Sequence, residues 1–303
     1  MPTYSRTAFL GFFFVHFCLA WGPAGHRIVA LIAEQRLTPE VRARGTHLLL
    51  DGQFSMVEIS SCPDALRGAE RVPLKPEDEF CLKIAAVPSG SGPWHYIDIP
   101  VLKPQHTLEV YCPNGNCVTA KIIQFRDVLR NSNDDAQRRE ALMYLVHFMG
   151  DIHMPLHCAE RECDQGGNQE HVTVTLHSGQ RTDRRLHAAW DIDFVDKLME
   201  EAKINELAAY SAVLASGIQP KKAAAWQGAS IEAIAWEGWE LAKKRAYEDI
   251  PDLNYCDPEV KAAKPEITLL SPDYENEADK VVRQQLIKAG VRLANLLNEN
   301  LTR

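Results

Sequence analysis

Apolar residues recur every three or four positions along most of this chain, which is the spacing of one face of an α-helix. Residues 137–152 are the clearest case, because their apolar residues share one helix face. Pro155 follows and is expected to end the helix. The same period predicts six long helices, over Arg27–Leu37, Val118–Arg130, Gln137–Ile152, Ala188–Ala202, Ala223–Asp249 and Asn276–Leu301. In the last of these, an apolar stripe is expected to be buried, formed by Val282, Leu286, Ala289, Leu293 and Leu296.

Strict alternation of apolar and polar residues is confined to Glu170–His177, which predicts a β-strand, one arm of a small hairpin. The Pro- and Gly-rich stretch Val87–Pro104 and the segment Asp249–Pro272 are predicted to be loops. The sequence contains no internal repeat and no linker-like stretch. We therefore expect a mainly α fold, a single-domain multi-helix bundle with a small β-hairpin, over residues 21–303.

The first twenty residues differ from the rest of the chain. Arg6 precedes a mostly apolar run of thirteen residues, Ala8–Ala20. This run is too short to cross a bilayer, and it ends in small residues at the positions that signal peptidase reads. Residues 1–20 are therefore predicted to be a signal peptide removed before Trp21, and the protein to be secreted or periplasmic. The alternative is a buried N-terminal helix.

Export predicts disulfide bonds, since secretory compartments are oxidising. Without Cys18, seven cysteines remain, and their spacing does not match a structural zinc knuckle. Two short loops suggest the pairs Cys112–Cys117 and Cys158–Cys163. Cys62–Cys81 is expected as a third bridge, which leaves Cys256 unpaired.

Composition and charge limit the classes of partner. With 46% hydrophobic and 24% charged residues, the chain has the composition of a soluble globular protein. The net charge is −8, and it becomes −9 without residues 1–20, whose one charged residue is Arg6. Tight nonspecific binding of duplex DNA, which needs a basic face, is therefore not expected. Bound divalent cations can nevertheless attract a phosphate locally, so short or single-stranded phosphodiesters stay open as substrates.

A pair of His-x-x-x-Asp motifs indicates a metal site. His147 and Asp151 lie four residues apart, as do His187 and Asp191, and His157 follows the first pair. Residues four apart share a helix face, so each pair aims an imidazole and a carboxylate at one point. Neutral imidazole and carboxylate oxygen are zinc ligands. One such pair is a common surface feature, whereas two pairs and a third histidine predict a metal centre.

Other candidate ligands are less specific when taken singly. His26 lies five residues after the predicted cleavage point, where a new α-amine on Trp21 could also bind a metal. Taken alone, His26 could be a polar surface residue. Asp64 could be a helix cap, and His95 could be a core histidine in an aromatic cluster.

Together these residues lie in motifs that resemble a known family. In chain order the motifs are Trp-Gly-x-x-Gly-His from Trp21, Asp-Ala-x-Arg from Asp64, Trp-His-Tyr-Ile-Asp from Trp94, the stretch His147–His157, Gly-Gly-Asn ending at Asn168, and His-x-x-Trp-Asp from His187. This set resembles the zinc-dependent single-strand-specific nuclease and 3′-nucleotidase family, the type I nucleases of fungi, plants and bacteria. The resemblance implies a phospholipase C/nuclease-like fold and three Zn²⁺ ions as cofactors.

The resemblance also implies a role for each position. The first zinc would be held by Asp64, His95, His147 and Asp151; the second by the Trp21 amine and carbonyl, His26 and the shared Asp151; the third by His157, His187 and Asp191. Arg67 would act with Asp64 and Asp151 in catalysis by neutralising charge on the transition state, its alternative being an ordinary surface ion pair. Tyr96 and Asp98 would clamp a base, and Asn168 would hydrogen-bond around the cluster. The remaining histidines are expected to be structural or on the surface, namely His47, His106, His153, His171 and His177.

The function implied is an exported, monomeric zinc enzyme without stable membrane association. It would cut single-stranded DNA and RNA internally to 5′-phosphate products and remove the 3′-phosphate from 3′-nucleotides. Two alternatives stay open, a zinc phospholipase C, which uses a similar three-metal arrangement, and an exported zinc-binding helical protein without turnover.

Overall fold

The computed structural model describes residues 21–176 and 178–301, so the predicted signal peptide and His177 lie outside the described residues. The longer elements are helices α1 (Pro23–Glu34), α2 (Pro39–Leu48), α3 (Met56–Ile59), α4 (Cys62–Ala69), α5 (Val118–Asn131), α6 (Asp135–Asp151), α7 (Leu186–Ala188), α8 (Phe194–Ala202), α9 (Leu207–Ser216), α10 (Pro220–Gln227), α11 (Ile231–Leu241), α12 (Pro258–Ala262) and α13 (Pro272–Asn300), and strands β1 (His171–Thr175), β2 (Arg181–Arg185) and β3 (Ile267–Leu269). The expected mainly α fold with a small sheet is confirmed.

Helix α6 lies at the centre of the helical packing. Every residue of 141–151 is buried, and the helix contacts α1, α2, α3, α4, α5 and α13. A helix that is covered on all sides needs no polar face in its buried part, and residues 141–146 are apolar throughout apart from the Tyr144 hydroxyl. The polar residues at its buried end, His147 and Asp151, are therefore carried into the interior of the protein.

Helices α1 and α13 pack closely against each other. A Cβ atom added at Gly290 would lie 2.5 Å from Ile32 Cγ2, so glycine at this position permits the close approach. The apolar stripe expected on α13 is buried as expected, which the structure shows for Val282, Leu286, Ala289, Leu293 and Leu296. This packing fixes α1, which carries His26, against the rest of the bundle.

The small sheet has the strand order β2-β1-β3. Strands β1 and β2 form the antiparallel hairpin that alternation indicated, with Val172 and Val174 on the buried face. Strand β3 pairs with β1 in parallel and comes from Asp249–Pro272, so the prediction that this whole segment is a loop was wrong. A strand of three residues is too short to show an alternating sequence pattern. This strand forms because the other edge of β1 is free to pair. The hairpin leads directly into α7, which carries His187.

Helix limits differ from the expected ones where capping residues intervene. The predicted helix Ala223–Asp249 is divided into α10, α11 and a π-helical turn, Ala242–Ala246. The division occurs because α10 ends at Gly228 and the Ser230 hydroxyl accepts a hydrogen bond from Ala233 N, which starts a new helix. A second π-helical turn, Ala189–Asp193, lies between α7 and α8 within the predicted helix Ala188–Ala202.

Two of the expected disulfides are present and one is wrong. Cys62–Cys81 and Cys112–Cys117 are bonded, but Cys163 pairs with Cys256 across 93 residues, and Cys158 is a free, buried thiol. The reason is packing: Cys158 is fully buried, and its Sγ lies 2.7 Å from where a Cβ on Gly238 would be, whereas Cys163 and Cys256 are both exposed.

The loop that follows Cys158 is drawn towards the segment before α12. The Arg161 guanidinium donates to Ile250 O at 3.2 Å and to Pro251 O at 2.6 Å, and it pairs with the Glu170 carboxylate at 2.8 Å. These contacts bring Cys163 to Cys256.

Among the described residues no helix is long and apolar enough to cross a bilayer.

In protein that begins at Trp21, an alkylating reagent added in denaturant without reductant should label only Cys158, because the other six cysteines are in disulfides. Replacing Cys163 and Cys256 together with serine should lower the free energy of unfolding by about 4.6 kcal/mol, against about 2 kcal/mol for the matched pair Cys112 and Cys117, since the longer loop restricts the unfolded chain more. Peptide mapping and denaturant unfolding measure these two outcomes. Label on Cys256, or equal losses from the two pairs, would contradict the assignment.

Candidate metal centre

Eight predicted side-chain ligands converge in the interior. Three groups of His and Asp residues have ligand atoms that all lie within 4.8 Å of one another: His26, Asp64 and His147; His95, His147 and Asp151; and His157, His187 and Asp191. Every member of the three groups is buried. The residues come from five separate parts of the chain, so the fold brings together what the sequence keeps apart.

The Asp151 carboxylate lies between these groups. Its Oδ2 is 3.0 Å from His95 Nδ1 and 3.3 Å from His147 Nε2. Its Oδ1 is 3.4 Å from His26 Nε2 and 3.9 Å from His157 Nδ1. Because α6 places His147 and Asp151 one turn apart, both face the same point. The two oxygens thus face different histidines, as a carboxylate shared between two cations does.

Backbone carbonyls orient three of the rings. His147 Nδ1 donates to Ser60 O at 2.7 Å, His157 Nδ1 donates to His95 O at 2.8 Å, and His187 Nδ1 donates to Gly166 O at 2.7 Å. A carbonyl oxygen can only accept, so each neutral ring carries its proton on Nδ1 and leaves a lone pair on Nε2. This is the arrangement that metal-binding histidines show when a second group fixes their tautomer.

Ring nitrogens of neighbouring candidate ligands lie in close contact. His157 Nε2 lies 3.2 Å from His187 Nε2, and His95 Nδ1 lies 3.1 Å from His147 Nε2. With both Nδ1 protons donated to carbonyls, the first of these contacts joins two acceptors, which repel unless a cation or an added proton lies between them. The donor set and its geometry therefore fit a bound cation.

Several polar atoms here are buried without a hydrogen-bond partner. Within the described part of the chain, these include both ring nitrogens of His26, Oδ1 of Asp151 and both carboxylate oxygens of Asp191. A buried polar atom without a partner costs about 1–3 kcal/mol, and more when it is charged. So many in one place indicate that a ligand, here a metal ion, completes their coordination.

Burial keeps most of these histidines neutral. It lowers the pKa of His147 to about 3. It also lowers the pKa values of His26, His95 and His157 well below the usual range. His187 differs, because the neighbouring Asp191 carboxylate overcomes the effect of burial and raises its pKa. Neutral rings are the form that binds a metal.

Burial has the opposite effect on the carboxylates. It raises the pKa of Asp64 and of Asp191 to about 6, and together with the nearby Asp64 it raises the pKa of Asp151 well above its usual range. Holding all three ionised in one interior site requires compensating positive charge, which divalent cations supply.

The start of α1 reaches the centre through close backbone contacts. Gly22 N donates to Asp191 O at 2.9 Å, and Trp21 is fully buried. His26 stacks on His147 with ring centroids 3.9 Å apart. A Cβ added at Gly150 would lie 2.6 Å from His26 Nδ1, so α6 admits His26 only because residue 150 is glycine. Sequence spacing gave no sign of this requirement.

Arg67 lies beside the centre. Helix α4 starts at Cys62, so Asp64 falls in its first turn and Arg67 one turn later. The Arg67 guanidinium is 3.0 Å from Asp64 Oδ1, and its side chain is 13% exposed. The N-cap residue of α4 is Ser61, and the Asp64 carboxylate lies 3.6 Å from His95 Nδ1 and 3.7 Å from His147 Nε2. Arg67 therefore presents a cation at the edge of an otherwise buried cluster.

The residues expected to contact a substrate lie on two loops. Tyr96 and Asp98 are half-buried and follow the turn Gly92–His95, where Ile97 N donates to His157 O at 2.8 Å. Burial, and then the carboxylates of Glu160 and Asp164, raises the pKa of Asp98 to about 7. These contacts hold Tyr96 and Asp98 next to His157.

Asn168 lies in the loop that orients His187. Its side-chain amide donates to Gln165 O at 2.7 Å, within the loop whose Gly166 carbonyl orients His187. Gly166 has a φ of +63°, and a Cβ there would lie 2.7 Å from Leu156 O, so glycine is required at the turn. Asn168 thus shapes the loop that orients a candidate ligand.

The other described histidines lie in none of the three groups. His47 and His106 are exposed, and His171 lies on β1. His153 is buried, donates from Nδ1 to Met149 O at 2.7 Å and accepts from Arg292 at 2.9 Å. Both of its ring nitrogens are satisfied, which suits a structural residue.

Comparison with known proteins places the chain among nucleases. A family described as S1/P1 Nuclease matches residues 21–302. Endonuclease 3 of Arabidopsis thaliana is 27% identical over 298 residues, covering 94% of this chain and 90% of that protein. Nuclease P1 of Penicillium citrinum is 25% identical over 291 residues, covering 92% and 97%, and Nuclease S1 of Aspergillus oryzae is 24% identical over 299 residues, covering 92% and 91%. With the family match running from the buried Trp21 through all three ligand groups, the chain belongs to the S1/P1 nuclease family.

Proposed function

We propose that this chain is a zinc-dependent phosphodiesterase that cuts single-stranded DNA and RNA internally, leaves 5′-phosphates, and removes the 3′-phosphate from 3′-nucleotides. The observation that carries the proposal is the pair of buried nitrogens, His157 Nε2 and His187 Nε2, that face each other at 3.2 Å beside the Asp151 carboxylate. Two facing acceptors suit a cation bound between them, and they lie inside a chain of a nuclease family.

The three ligand groups would hold three zinc ions. Asp64, His95, His147 and Asp151 would hold one; His26, Asp151 and the amine and carbonyl of Trp21 a second; His157, His187 and Asp191 a third. Two of the groups share His147, and the two oxygens of Asp151 face different histidines, which supports a compact cluster. Zinc at these positions would supply a water of lowered pKa as the nucleophile and stabilise charge on the phosphate oxygens.

The chain's own residues would position the substrate. The Arg67 guanidinium, held by Asp64, would pair with a non-bridging phosphate oxygen and stabilise the charge that grows there during attack. The leaving 3′-oxygen would lie on the side of His157, His187 and Asp191. The nucleoside that carries this oxygen would then reach Tyr96 and Asp98, whose segment is bonded to His157.

Base binding would explain a preference for single strands. The Tyr96 ring would stack on a base, which contributes about 1–3 kcal/mol and tolerates any sequence. The Asp98 carboxylate would accept a base N–H. Both contacts need a base that is not paired, so a duplex would have to open first.

The setting of the reaction is part of the proposal. Residues 1–20 would be a signal peptide, and 21–303 one domain that acts as a monomer outside the cytoplasm. The three disulfides, which persist in oxidising compartments, support this.

Protein isolated from Trp21 should release 5′-nucleotides from single-stranded DNA and RNA, and a chelator should abolish this until Zn²⁺ is returned. A duplex of the same sequence should be cut at least about tenfold more slowly, since opening one base-pair step costs about 1.4 kcal/mol. Product analysis by chromatography measures both. Fully metal-loaded protein that leaves nucleic acid intact would exclude a nuclease, and hydrolysis of phosphatidylcholine vesicles instead would favour a phospholipase C.

Extending the chain by Gly-Ser before Trp21 should lower the zinc content by about one ion, because an amide nitrogen, unlike a free amine, has no lone pair to give a metal. The rate should fall about 10- to 100-fold. Mass spectrometry of the native protein counts the ions, and the same extension after Arg303 is the control. Equal loading of the two extended proteins would remove Trp21 from the ligand set.

Replacing Gly150 with alanine should displace His26, because the new Cβ would lie 2.6 Å from His26 Nδ1. We expect the loss of about one zinc ion per chain. The metal-free protein should stay folded, since alanine is favoured over glycine in a helix by about 1 kcal/mol. The control is Gly45→Ala, also within a helix, where a Cβ meets only Leu301 Cδ2 at 3.8 Å. Unchanged zinc content in Gly150→Ala would contradict a role for His26.

A further inference from the structure

A cavity opens beside Arg67, and neither Tyr96 nor Asp98 lines it. Its volume is about 300 Å³. Its wall is mostly apolar, with contributions from Ala65, Val72, Pro73 and Leu74, and it also includes Asp64 and Arg67. The cavity is therefore continuous with the candidate metal centre. None of the roles assigned so far uses it.

The cavity belongs to one covalently closed segment. Its lining runs from Ser61 to Asp78, with Pro23 of α1 added, and the Cys62–Cys81 disulfide closes almost the same stretch of chain. Cys62 is at the start of α4 and Cys81 lies in the 3₁₀ turn Pro76–Lys83, so the bond ties the two walls together. This closure gives the cavity a fixed shape.

The two ends of the centre differ in what they offer a substrate. The segment of Tyr96 and Asp98 is hydrogen-bonded to His157, whereas Arg67 is paired with Asp64. A phosphodiester held at Arg67 has one nucleoside on each side. If the 5′-side nucleoside lies at Tyr96 and Asp98, as the proposed function requires, the 3′-side nucleoside leaves past Arg67 and reaches the cavity.

The chemistry of the cavity suits a nucleoside. Val72 is 50% exposed, so it offers an apolar surface to a flat, weakly polar group such as a base. The exposed Lys75 ammonium and the half-buried Asp78 carboxylate both line the wall, so a base could accept a hydrogen bond from Lys75 and donate one to Asp78. A volume of about 300 Å³ is at the lower end for ligand pockets, which fits one nucleoside and excludes a longer segment.

We propose that the cavity formed by residues 61–78 binds the nucleoside on the 3′ side of the cleaved phosphate, the one that keeps the 5′-phosphate in the product. This inference rests on the proposed function for its direction. It adds a second base-binding site, separate from Tyr96 and Asp98, and makes a dinucleotide the smallest substrate that uses both.

Gly68 offers a clean way to fill the cavity. It lines the cavity, and a Cβ added there meets no heavy atom within 4 Å. Gly68→Leu would thus project into open space, and leucine is favoured over glycine within α4, so the variant should fold. Gly228→Leu is the matched control, since a Cβ at Gly228 also meets open space but lies outside this cavity. Gly68→Ala adds a smaller group and gives a graded effect.

The test compares three ligands by calorimetry on the metal-loaded protein, namely 5′-AMP, 3′-AMP and inorganic phosphate. In Gly68→Leu we expect the dissociation constant of 5′-AMP to rise about tenfold, because its nucleoside loses the cavity. The constants for 3′-AMP and phosphate should change less than twofold. Gly68→Ala should have a smaller effect on 5′-AMP, and Gly228→Leu should leave all three constants unchanged.

Other outcomes separate this proposal from the nuclease function. An equal loss of affinity for all three ligands would mean that leucine disturbs the phosphate site. No change for 5′-AMP would mean that its nucleoside lies elsewhere. Either result overturns the proposal, and so does wild-type protein that does not bind 5′-AMP. Turnover of a dinucleoside monophosphate is measured in parallel. Protein that binds 5′-AMP through the cavity but cleaves no phosphodiester would refute the proposed function and leave the binding site in place.

Discussion

The structure depends on one buried carboxylate, that of Asp151. It is fully buried at the C-terminal end of α6, where the helix dipole adds further negative potential. Burial of an unpaired charge is costly, and the surrounding histidines offer lone pairs as readily as protons. A metal cation accepts electron pairs from both Asp151 and the rings. The arrangement of α1, α4 and α6 around this point is therefore understandable as the packing of a shell that can hold metal ions.

The shell is held in place by backbone and covalent links that lie outside the ligand set. The carbonyls of Ser60, His95 and Gly166 each fix one ring. Two of these carbonyls lie near disulfides: Ser60 precedes Cys62, and Gly166 follows Cys163. Each of these disulfides ties the segment that carries one of the carbonyls to a second part of the chain.

Local periodicity accounts for what could be predicted from the sequence. The 3.6-residue period located α5, α6 and α13, and the four-residue spacing of His147 and Asp151 indicated the candidate metal centre. Features that depend on distant partners could not be found in this way. Cys163 meets Cys256 because Arg161 holds the loop to Ile250, β3 pairs with β1 across about a hundred residues, and Gly150 matters only because His26 comes from another helix. None of these leaves a periodic signal.

Charge distribution reconciles an acidic chain with membership of a nuclease family. The net charge is −8, so the surface as a whole repels a polyanion. Attraction must then come from a few fixed positive groups, and it must act over a short range, since the Debye length is about 8 Å at physiological ionic strength. Arg67 and the cations that Asp64, Asp151 and Asp191 can hold are concentrated at one point. Such a site would bind one phosphate and its neighbouring bases. It gains little from a long duplex, whose affinity for proteins comes from many phosphates at once. The acidic surface and the compact centre thus favour the same kind of substrate, a short and flexible strand that can bring a single phosphate into the interior.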